Sequence, residues 1–256
     1  MSGRVDFSVS DGVASIILAR PEKHNAITPG MATELARICR EVDADDAVRT
    51  AVISGAGEKA FSAGSDLNLL ADMSDIWSFR NRIEYAAVVR DIRKPVIGAL
   101  KGWVLGGGME IALAADVRIA GHSAKIGGPE VTRGWVGGGG ASQMLPRLVG
   151  YGQAMRLLLL GEPVDAETAL RIGLVEEVVE DGQEFPRAQE IAAKIASYSP
   201  IATQAVKASV RAALSMPLEA GLRYENEIHV ICMSAKDRME GIKAFQEGRS
   251  PTFSGS

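Results

Sequence analysis

Residues 102–116 read GWVLGGGMEIALAAD, and this stretch decides how the rest of the chain is interpreted. Three glycines, Gly106 to Gly108, lead into the apolar run MEIALAA, in which Glu110 is the only polar side chain. Burying a carboxylate is costly unless its charge is paired or neutralised, and no basic residue stands three or four positions away. The pattern therefore predicts an acid or base at a functional site. The alternative is a first-turn carboxylate stabilised by the helix macrodipole.

The glycines before Glu110 favour the functional interpretation. Glycines at the start of a helix let a ligand approach the backbone closely, and the first N–H groups of a helix have no intrahelical partner. Such donors, at the positive end of the helix dipole, suit an anion or a developing oxyanion. Because Glu110 stands three residues after Gly107, the acid or base and the amide donor would share one pocket.

Two further segments combine glycines with a carboxylate. In AKIGGPEVTRGWVGGGGASQML (124–145), Glu130 follows Gly-Gly-Pro, and four glycines precede a predicted helix that starts near Ala141. The alternative for this segment is a solvated turn carboxylate and a flexible loop. In EKAFSAGSDLNLL (58–70), a turn of small residues follows the predicted strand TAVISG. We interpret Asp66 in that turn as a turn or helix-cap acceptor.

The secondary-structure pattern predicts an α/β fold. Apolar runs at 13–20, 50–55, 95–100 and 115–121 show little alternation, which is typical of strands buried on both faces. Residues 28–43 predict a helix with Thr28 as N-cap and Pro29 in the first turn. Helical periodicity dominates after Gly139. We expect an α/β core through about residue 180 and then a helical tail, which must pack on the core or on another subunit.

Composition excludes several classes of protein. The 256 residues are 46% hydrophobic and 23% charged, which is typical of a globular protein, and the net charge of -4 disfavours a general nucleic-acid binder. The two cysteines, Cys39 and Cys232, have no disulfide or zinc-site spacing, and His24, His122 and His229 lie far apart in the sequence. No apolar run is long enough to span a bilayer, and no secretory signal opens the chain. The sequence predicts a soluble cytoplasmic protein without a metal, a nucleic-acid partner or a membrane partner.

The sequence does not support a dinucleotide-binding motif or a hydrolase nucleophile motif. GAGEKA (55–60) has the skeleton of a dinucleotide fingerprint after a strand. However, FSAGSD follows where that fingerprint must open a helix, so we expect no nicotinamide cofactor. The nucleophile elbow GxSxG is absent from the sequence.

Several ordered motifs resemble the crotonase family, the enoyl-CoA hydratase/isomerase superfamily. They are ARPEKHNAI (19–27), AFSAGSDL (60–67), GWVLGGGMEIALAADVRIA (102–120), GGPE (127–130), GEPVDAETALRIGLVEEVV (161–179) and EGIKAFQEGRSPTF (240–253). The resemblance implies an α/β spiral of ββα units over residues 1–195. It also implies a C-terminal helical trimerisation region over residues 196–256, with assembly as a homotrimer or a dimer of trimers.

The same resemblance implies a site and a reaction. The backbone N–H groups of Ser65 and Gly107 would stabilise a thioester enolate, and Glu110 and Glu130, 20 residues apart, would hold and activate a water. Glu110 would take a proton from the water that adds to the β-carbon, and Glu130 would protonate the α-carbon. Having both glutamates favours an enoyl-CoA hydratase, with coenzyme A as part of the substrate and no other cofactor. The alternatives are an isomerase, another acyl-CoA lyase or dehydratase, or an acyl-CoA-binding protein without catalysis.

Further substrate contacts are implied in the same way. They are Lys23, His24, Lys59, Ala63, Asp66, Leu67, Gly106 and Trp135. Residues 69–89 would line the acyl pocket. The chain departs from the family pattern at three positions, where Gly137 replaces a frequent proline, Gly248 replaces a frequent lysine, and Trp135 is bulky for a region near the reacting carbons.

Overall fold

The computed structural model describes residues 3–71 and 75–256. The strands are β1 (Arg4–Ser10), β2 (Val13–Ala19), β3 (Thr50–Gly55), β4 (Ala60–Ser62), β5 (Val96–Leu100), β6 (Trp103–Leu105), β7 (Val117–Gly121), β8 (Lys125–Gly127), β9 (Val164–Asp165) and β10 (Glu177–Val179). The helices are α1 (Pro29–Ala44), α2 (Leu67–Ala71), α3 (Ile76–Arg80), α4 (Tyr85–Arg90), α5 (Gly107–Ala114), α6 (Ala141–Leu160), α7 (Ala166–Arg171), α8 (Glu184–Ala196), α9 (Pro200–Ala212), α10 (Leu218–Ser234) and α11 (Lys236–Glu247). Short 3-10 helices cover Pro21–Lys23 and Pro129–Arg133.

From β3 to β8, successive strands alternate between two sheets. The six-stranded sheet has the order β1-β2-β3-β5-β7-β10, and the four-stranded sheet has the order β4-β6-β8-β9. The chain therefore crosses from the six-stranded to the four-stranded sheet after each of β3, β5 and β7. Helical segments follow β4, β6 and β8. This is the predicted spiral of ββα units, and the α/β fold class is confirmed.

Four of these strands agree with the sequence predictions. β2, β3, β5 and β7 lie at the predicted apolar runs and pair in parallel with one another in the six-stranded sheet. One face of the sheet packs on α1, while α8 covers the other through Ala188, Ala192 and Ala196, which repeat every four residues. The small side chains let the helix approach closely, and the strands are buried on both faces as predicted.

The sequence interpretation missed β1. This strand forms an antiparallel hairpin with β2 through Asp11 and Gly12, which have φ values of +51° and +78°. A two-residue turn with positive φ at both positions favours Asp-Gly. The alternating residues VDFSV before Ser10-Asp11-Gly12 were the signal that could have found the strand.

The predicted helix starts agree with the structure. The Thr28 hydroxyl accepts a hydrogen bond of 3.2 Å from the N–H of Met31, as expected of an N-cap. α6 begins at Ala141 after the four glycines, and its backbone is non-helical at Gly150, where φ is +77°. The helices after residue 180 also lie where periodicity predicted them, but α8 belongs to the core, since it packs on the sheet.

A buried ion pair ties the C-terminal helices to this core. The Lys207 ammonium on α9 lies 2.6 Å from the Asp116 carboxylate, just before β7. Lys207 is only 8% exposed, and burial lowers its pKa to about 8. Arg211, one turn along α9, also bonds Asp116 and donates to the carbonyl of Ala114 at the end of α5. α9 is therefore fixed against the end of α5.

We expect Asp116→Ala to lower the free energy of unfolding by about 3–5 kcal/mol, because it leaves the buried Lys207 ammonium without its counter-charge. Urea denaturation followed by circular dichroism measures the change. The matched control Asp6→Ala removes the exposed ion pair with Arg4 and should cost less than about 1 kcal/mol. Equal, small losses in both variants would contradict the anchoring role.

Candidate active site

A cavity of about 850 Å³ opens at one edge of the four-stranded sheet. Neighbouring parallel strands β4, β6 and β8 end there, and each is followed by a predicted site residue. Ser65 follows β4, Gly107 and Glu110 follow β6, and Glu130 follows β8. The carboxyl ends of parallel strands meet at one edge of a sheet, which is where ligands bind in many α/β proteins. The topology therefore brings these four residues together.

Most of the predicted site residues line this cavity. They are Lys23, Ala63, Ser65, Asp66, Leu67, Gly106, Gly107, Glu110, Glu130 and Trp135. The lining includes Leu105, Val136 and Pro129 as well. The walls thus combine apolar surface with a few carboxylates and backbone amides, which is typical of a small-molecule site.

The two predicted amide donors lie on adjacent backbone segments. A Cβ atom at Gly64 would lie 2.7 Å from the backbone nitrogen of Gly107, which shows how closely the segment before Ser65 approaches the start of α5. Within residues 3–71 and 75–256, the N–H groups of Ser65 and Gly107 donate no hydrogen bond. Both residues line the cavity. This arrangement can hydrogen-bond a single anionic oxygen.

The three glycines before Glu110 have separate structural reasons. Gly106 has a φ of +54°, which favours glycine. A side chain at Gly107 would collide with the Tyr85 hydroxyl, and one at Gly108 would collide with the Ser62 carbonyl oxygen. The run therefore lets the start of α5 pack directly against α4 and β4.

Glu110 is held rigidly in the floor of the cavity. It is 5% exposed, and its Oε1 accepts hydrogen bonds from the N–H groups of Gly139 at 2.7 Å and Ala141 at 3.3 Å. Burial raises the pKa of Glu110, and the negative charges of Glu130 and Glu84 raise it further. The two N–H bonds oppose this by favouring the ionised form. Glu110 is thus a positioned carboxylate whose pKa lies above the usual value.

Glu130 has a different environment. It lies in the 3-10 helix Pro129–Arg133, is half-buried, and its carboxylate accepts no hydrogen bond from another described residue. Burial raises the pKa of Glu130, and the nearby charge of Arg133 partly opposes the rise. A carboxyl group with fewer donors around its charged form is the better candidate for a proton donor.

Gly137 marks the point where the two carboxylates converge. A Cβ atom at this position would lie 2.7 Å from Oε1 of Glu110 and 3.4 Å from Oε1 of Glu130. The absence of a side chain at Gly137 therefore keeps open the space that both carboxylates face. Proline is frequent at this position in the family, but in this backbone conformation a side chain at position 137 would crowd the two carboxylates.

We expect Gly137→Ala to reduce turnover at least about tenfold, since its methyl group would displace the Glu110 carboxylate and misplace groups bound between the two acids. The control is Gly138→Ala, whose Cβ would meet only the flexible end of Arg82, at 3.0 Å. Steady-state kinetics of both variants measure the difference. Equal turnover in the two variants would contradict a special role for Gly137.

Comparison with known proteins identifies the family of the chain. Residues 8–256 match the family model described as "Enoyl-CoA hydratase/isomerase". The chain belongs to this family.

Relatives in the enoyl-CoA hydratase/isomerase family are similar over nearly their whole length. The chain is 39% identical to (E)-benzylidenesuccinyl-CoA hydratase of Thauera aromatica, over 98% of this chain and 99% of the relative. It is 37% identical to short-chain-enoyl-CoA hydratase of Clostridium acetobutylicum, over 93% and 92%. The crystal structure of an enoyl-CoA hydratase from Bacillus anthracis matches with a TM-score of 0.92 and 36% identity, over 100% of both chains.

Asp66 lines the cavity, but its carboxylate is used within the protein. Oδ2 accepts a hydrogen bond of 2.6 Å from the Arg20 guanidinium, and Oδ1 accepts one of 3.0 Å from the N–H of Asn68. The Arg20 bond also lowers the pKa of Asp66. This geometry agrees with the interpretation of Asp66 as a cap acceptor. A substrate contact by Asp66 stays a prediction.

Lys23, His24 and Lys59, which are among the predicted contacts with the acyl-CoA substrate, divide into two groups. Lys23 lines the cavity, whereas His24 and Lys59 do not and are exposed. The His24 carbonyl accepts a hydrogen bond from the N–H of Ala63, and the Lys59 carbonyl accepts one from Trp103. Their backbones support the loops of the site, and their contact with the coenzyme stays a prediction.

Five residues of the predicted acyl-pocket segment 69–89 line the cavity. They are Ile76, Phe79, Arg82, Glu84 and Tyr85. Residues 72–74 of the same segment lie outside the described residues. Sequence reasoning did not single out Tyr85, because EYAAVV resembles an ordinary apolar helix face.

The remaining departures from the family pattern have local explanations. Trp135 lines the cavity and is exposed, so its bulk adds apolar wall. Gly248 ends α11 with a φ of +65°, and its N–H bonds back to the carbonyl of Phe245. A glycine in the left-handed conformation is a common helix terminator. The glycine at position 248, where a lysine is frequent in the family, is thus explained by its backbone conformation at the end of α11.

Proposed function

We propose that this protein is an enoyl-CoA hydratase that adds water across the 2,3 double bond of a 2-enoyl-CoA thioester. The observation that carries the proposal is the convergence of Glu110 and Glu130 on the space beside Gly137, next to the amides of Ser65 and Gly107. Relatives named as hydratases, including a crotonyl-CoA hydratase of Syntrophomonas wolfei at 34% identity, support it. Coenzyme A enters as part of the substrate, and the reaction needs no other cofactor.

The amides act on the thioester oxygen. As water adds to the β-carbon, negative charge develops on this oxygen, and two preorganised N–H groups stabilise that charge more than the ground state. The Ser65 and Gly107 donors are available for this purpose, since no described acceptor uses them. The fixed positions of Ser65 in the loop after β4 and of Gly107 at the start of α5 avoid reorganisation during the reaction.

The two glutamates move the protons. Glu110, whose charged form is stabilised by two N–H bonds, takes a proton as the water oxygen bonds to the β-carbon. Glu130, in its protonated form, delivers a proton to the α-carbon of the enolate. Proton exchange with solvent then restores both groups. Two nearby carboxylates that cannot both ionise cheaply favour this division of roles.

Incubation with crotonyl-CoA tests the proposal. Loss of the enoyl thioester absorbance and incorporation of one oxygen from ¹⁸O-labelled water are the expected results. A double-bond shift without oxygen incorporation would instead support an isomerase. Binding of several acyl-CoA thioesters without turnover would support a non-catalytic binder.

The pH dependence of kcat/KM should be bell-shaped, with an acid limb above the ordinary glutamate pKa of 4.5. Because burial and the charges of Glu130 and Glu84 raise the pKa of Glu110, this base becomes protonated at a higher pH than usual. Glu84→Gln removes one negative charge and should move the acid limb to lower pH. An unchanged acid limb in this variant would contradict the assignment of Glu110 as the base.

We also propose that the helices after residue 195 form a homotrimer interface, with a dimer of trimers as the larger form. Support comes from apolar side chains left exposed on α9, α10 and α11, including Val206, Ile231 and Phe245, the last 88% exposed. Light scattering during gel filtration tests this by measuring the mass of the assembly.

No helix within residues 3–71 and 75–256 is long and apolar enough to cross a membrane. A cytoplasmic location is part of the proposal, and the unpaired Cys39 and Cys232 are compatible with it.

A further inference from the structure

A hydrogen-bonded pair of hydroxyl groups lies beside the amide donors. Tyr85, the first residue of α4, is 8% exposed, and its hydroxyl oxygen lies 2.8 Å from Oγ of Ser65. The same hydroxyl fills the space in which a side chain at Gly107 would lie. Tyr85 therefore contacts the two residues whose N–H groups form the proposed oxyanion site.

One hydroxyl proton of the Ser65–Tyr85 pair has no acceptor among the described residues. Each hydroxyl carries one proton, and the hydrogen bond between Ser65 and Tyr85 uses one of the two. In the part of the chain that the structure describes, neither hydroxyl makes another hydrogen bond. Buried hydroxyls normally have partners, and both side chains line the cavity. The second proton is thus free to bond a ligand there.

The electrostatic surroundings keep the tyrosine neutral. Burial raises the pKa of the Tyr85 hydroxyl well above its usual value, and the negative charge of Glu110 raises it further, while the Ser65 bond opposes the rise. The hydroxyl therefore stays protonated throughout the pH range of an ordinary assay. A neutral donor in a buried site can stabilise a developing oxyanion without itself ionising.

We propose that the Tyr85 hydroxyl is a third hydrogen-bond donor to the thioester oxygen, and that the Ser65 hydroxyl positions it. In this arrangement Ser65 Oγ–H donates to the Tyr85 oxygen, which turns the Tyr85 proton toward the cavity. Tyr85 is then a catalytic residue, and Ser65 acts through its side chain as well as through its amide. The inference rests on the proposed acyl-CoA chemistry of this site.

The direct test uses cinnamoyl-CoA, whose absorbance maximum moves to longer wavelength when its carbonyl accepts stronger hydrogen bonds. Difference spectra recorded on mixing with the wild-type protein should show this red shift. Tyr85→Phe should reduce the shift and lower kcat for crotonyl-CoA by about 10- to 100-fold, less than the loss of an amide donor, with little change in KM. The matched control Tyr151→Phe removes a hydroxyl from an exposed residue on α6 and should leave both values unchanged.

Ser65 variants test the positioning role. Ser65→Ala should lower kcat and the red shift less than Tyr85→Phe, and Ser65→Thr, which restores the hydroxyl, should recover most of the loss. The double variant Ser65→Ala/Tyr85→Phe should resemble Tyr85→Phe alone, because the serine hydroxyl acts through the tyrosine. Additive losses in the double variant would overturn the positioning role.

Other outcomes separate this inference from the proposed function. A Tyr85→Phe protein with a full red shift and normal kcat, but a lower Tm, would show that the pair is structural and overturn the inference. A wild-type protein that shows the Tyr85-dependent shift but hydrates no enoyl-CoA would overturn the hydratase proposal and support the donor. A wild-type protein that binds neither cinnamoyl-CoA nor crotonyl-CoA would overturn both.

Discussion

Glu130→Gln is expected to lower kcat for hydration of crotonyl-CoA by about 10²- to 10⁴-fold, because an amide cannot deliver the proton to the α-carbon. Glu110→Gln is expected to have an effect of similar size, since an amide cannot accept the proton from water. Binding of the coenzyme should change little in either variant, because neither carboxylate is predicted to contact it. Stopped-flow absorbance and equilibrium titration measure the two quantities.

The stability of these variants provides the control. Burial raises the pKa of both carboxyl groups in the folded protein above the unfolded value. The folded state therefore binds more protons. The free energy of unfolding decreases as pH rises from the unfolded-state pKa of each group to its folded-state pKa. Glutamine does not ionise, so at pH 7 each variant should unfold at the same temperature as the wild type or at a higher one. Normal turnover in both variants would refute the assigned roles, and a lower Tm with lost binding would indicate a structural role instead.

Gly107→Ala should lower kcat by about 10²- to 10³-fold, the loss expected when an oxyanion donor no longer reaches its acceptor. The added methyl group would occupy the position of the Tyr85 hydroxyl, so either the tyrosine or the start of α5 must move. Such overpacking also costs about 1–3 kcal/mol of stability. Kinetics with crotonyl-CoA and thermal unfolding measure both effects.

Gly152→Ala is the matched control for that substitution. It adds the same methyl group to a helix, at a position where the Cβ meets no atom within 4 Å. We expect normal turnover and unchanged or slightly higher stability. If Gly107→Ala retained turnover comparable to this control, the close packing of Tyr85 against the start of α5 would not be needed for catalysis.

Features with local causes could be predicted from the sequence. The four apolar strands, the Thr28 cap and the start of α6 follow from residue type and spacing within a short window. The buried carboxylate at Glu110 could be inferred because its whole neighbourhood in sequence is apolar. The resemblance to a family then supplied the order in which these elements pack.

Features that depend on distant residues could not be predicted in this way. Asp66 bonds Arg20 across 46 positions, and Ser65 bonds Tyr85 across 20. The three-residue strands β4, β6 and β8 are too short to show a periodicity, although they bring the site together. The steric role of Gly137 became visible only when both carboxylates had positions in space.

Because Arg211 bonds its last carbonyl, α5 links α9 directly to the proposed oxyanion site. This helix is about 12 Å long, with the Gly107 amide at one end and the Ala114 carbonyl, bonded by Arg211, at the other. A shift of α9 relative to the core would therefore be expected to displace the Gly107 amide, which is proposed to bind the thioester oxygen. Dissociation of the proposed homotrimer on dilution should therefore reduce specific activity before the protein unfolds.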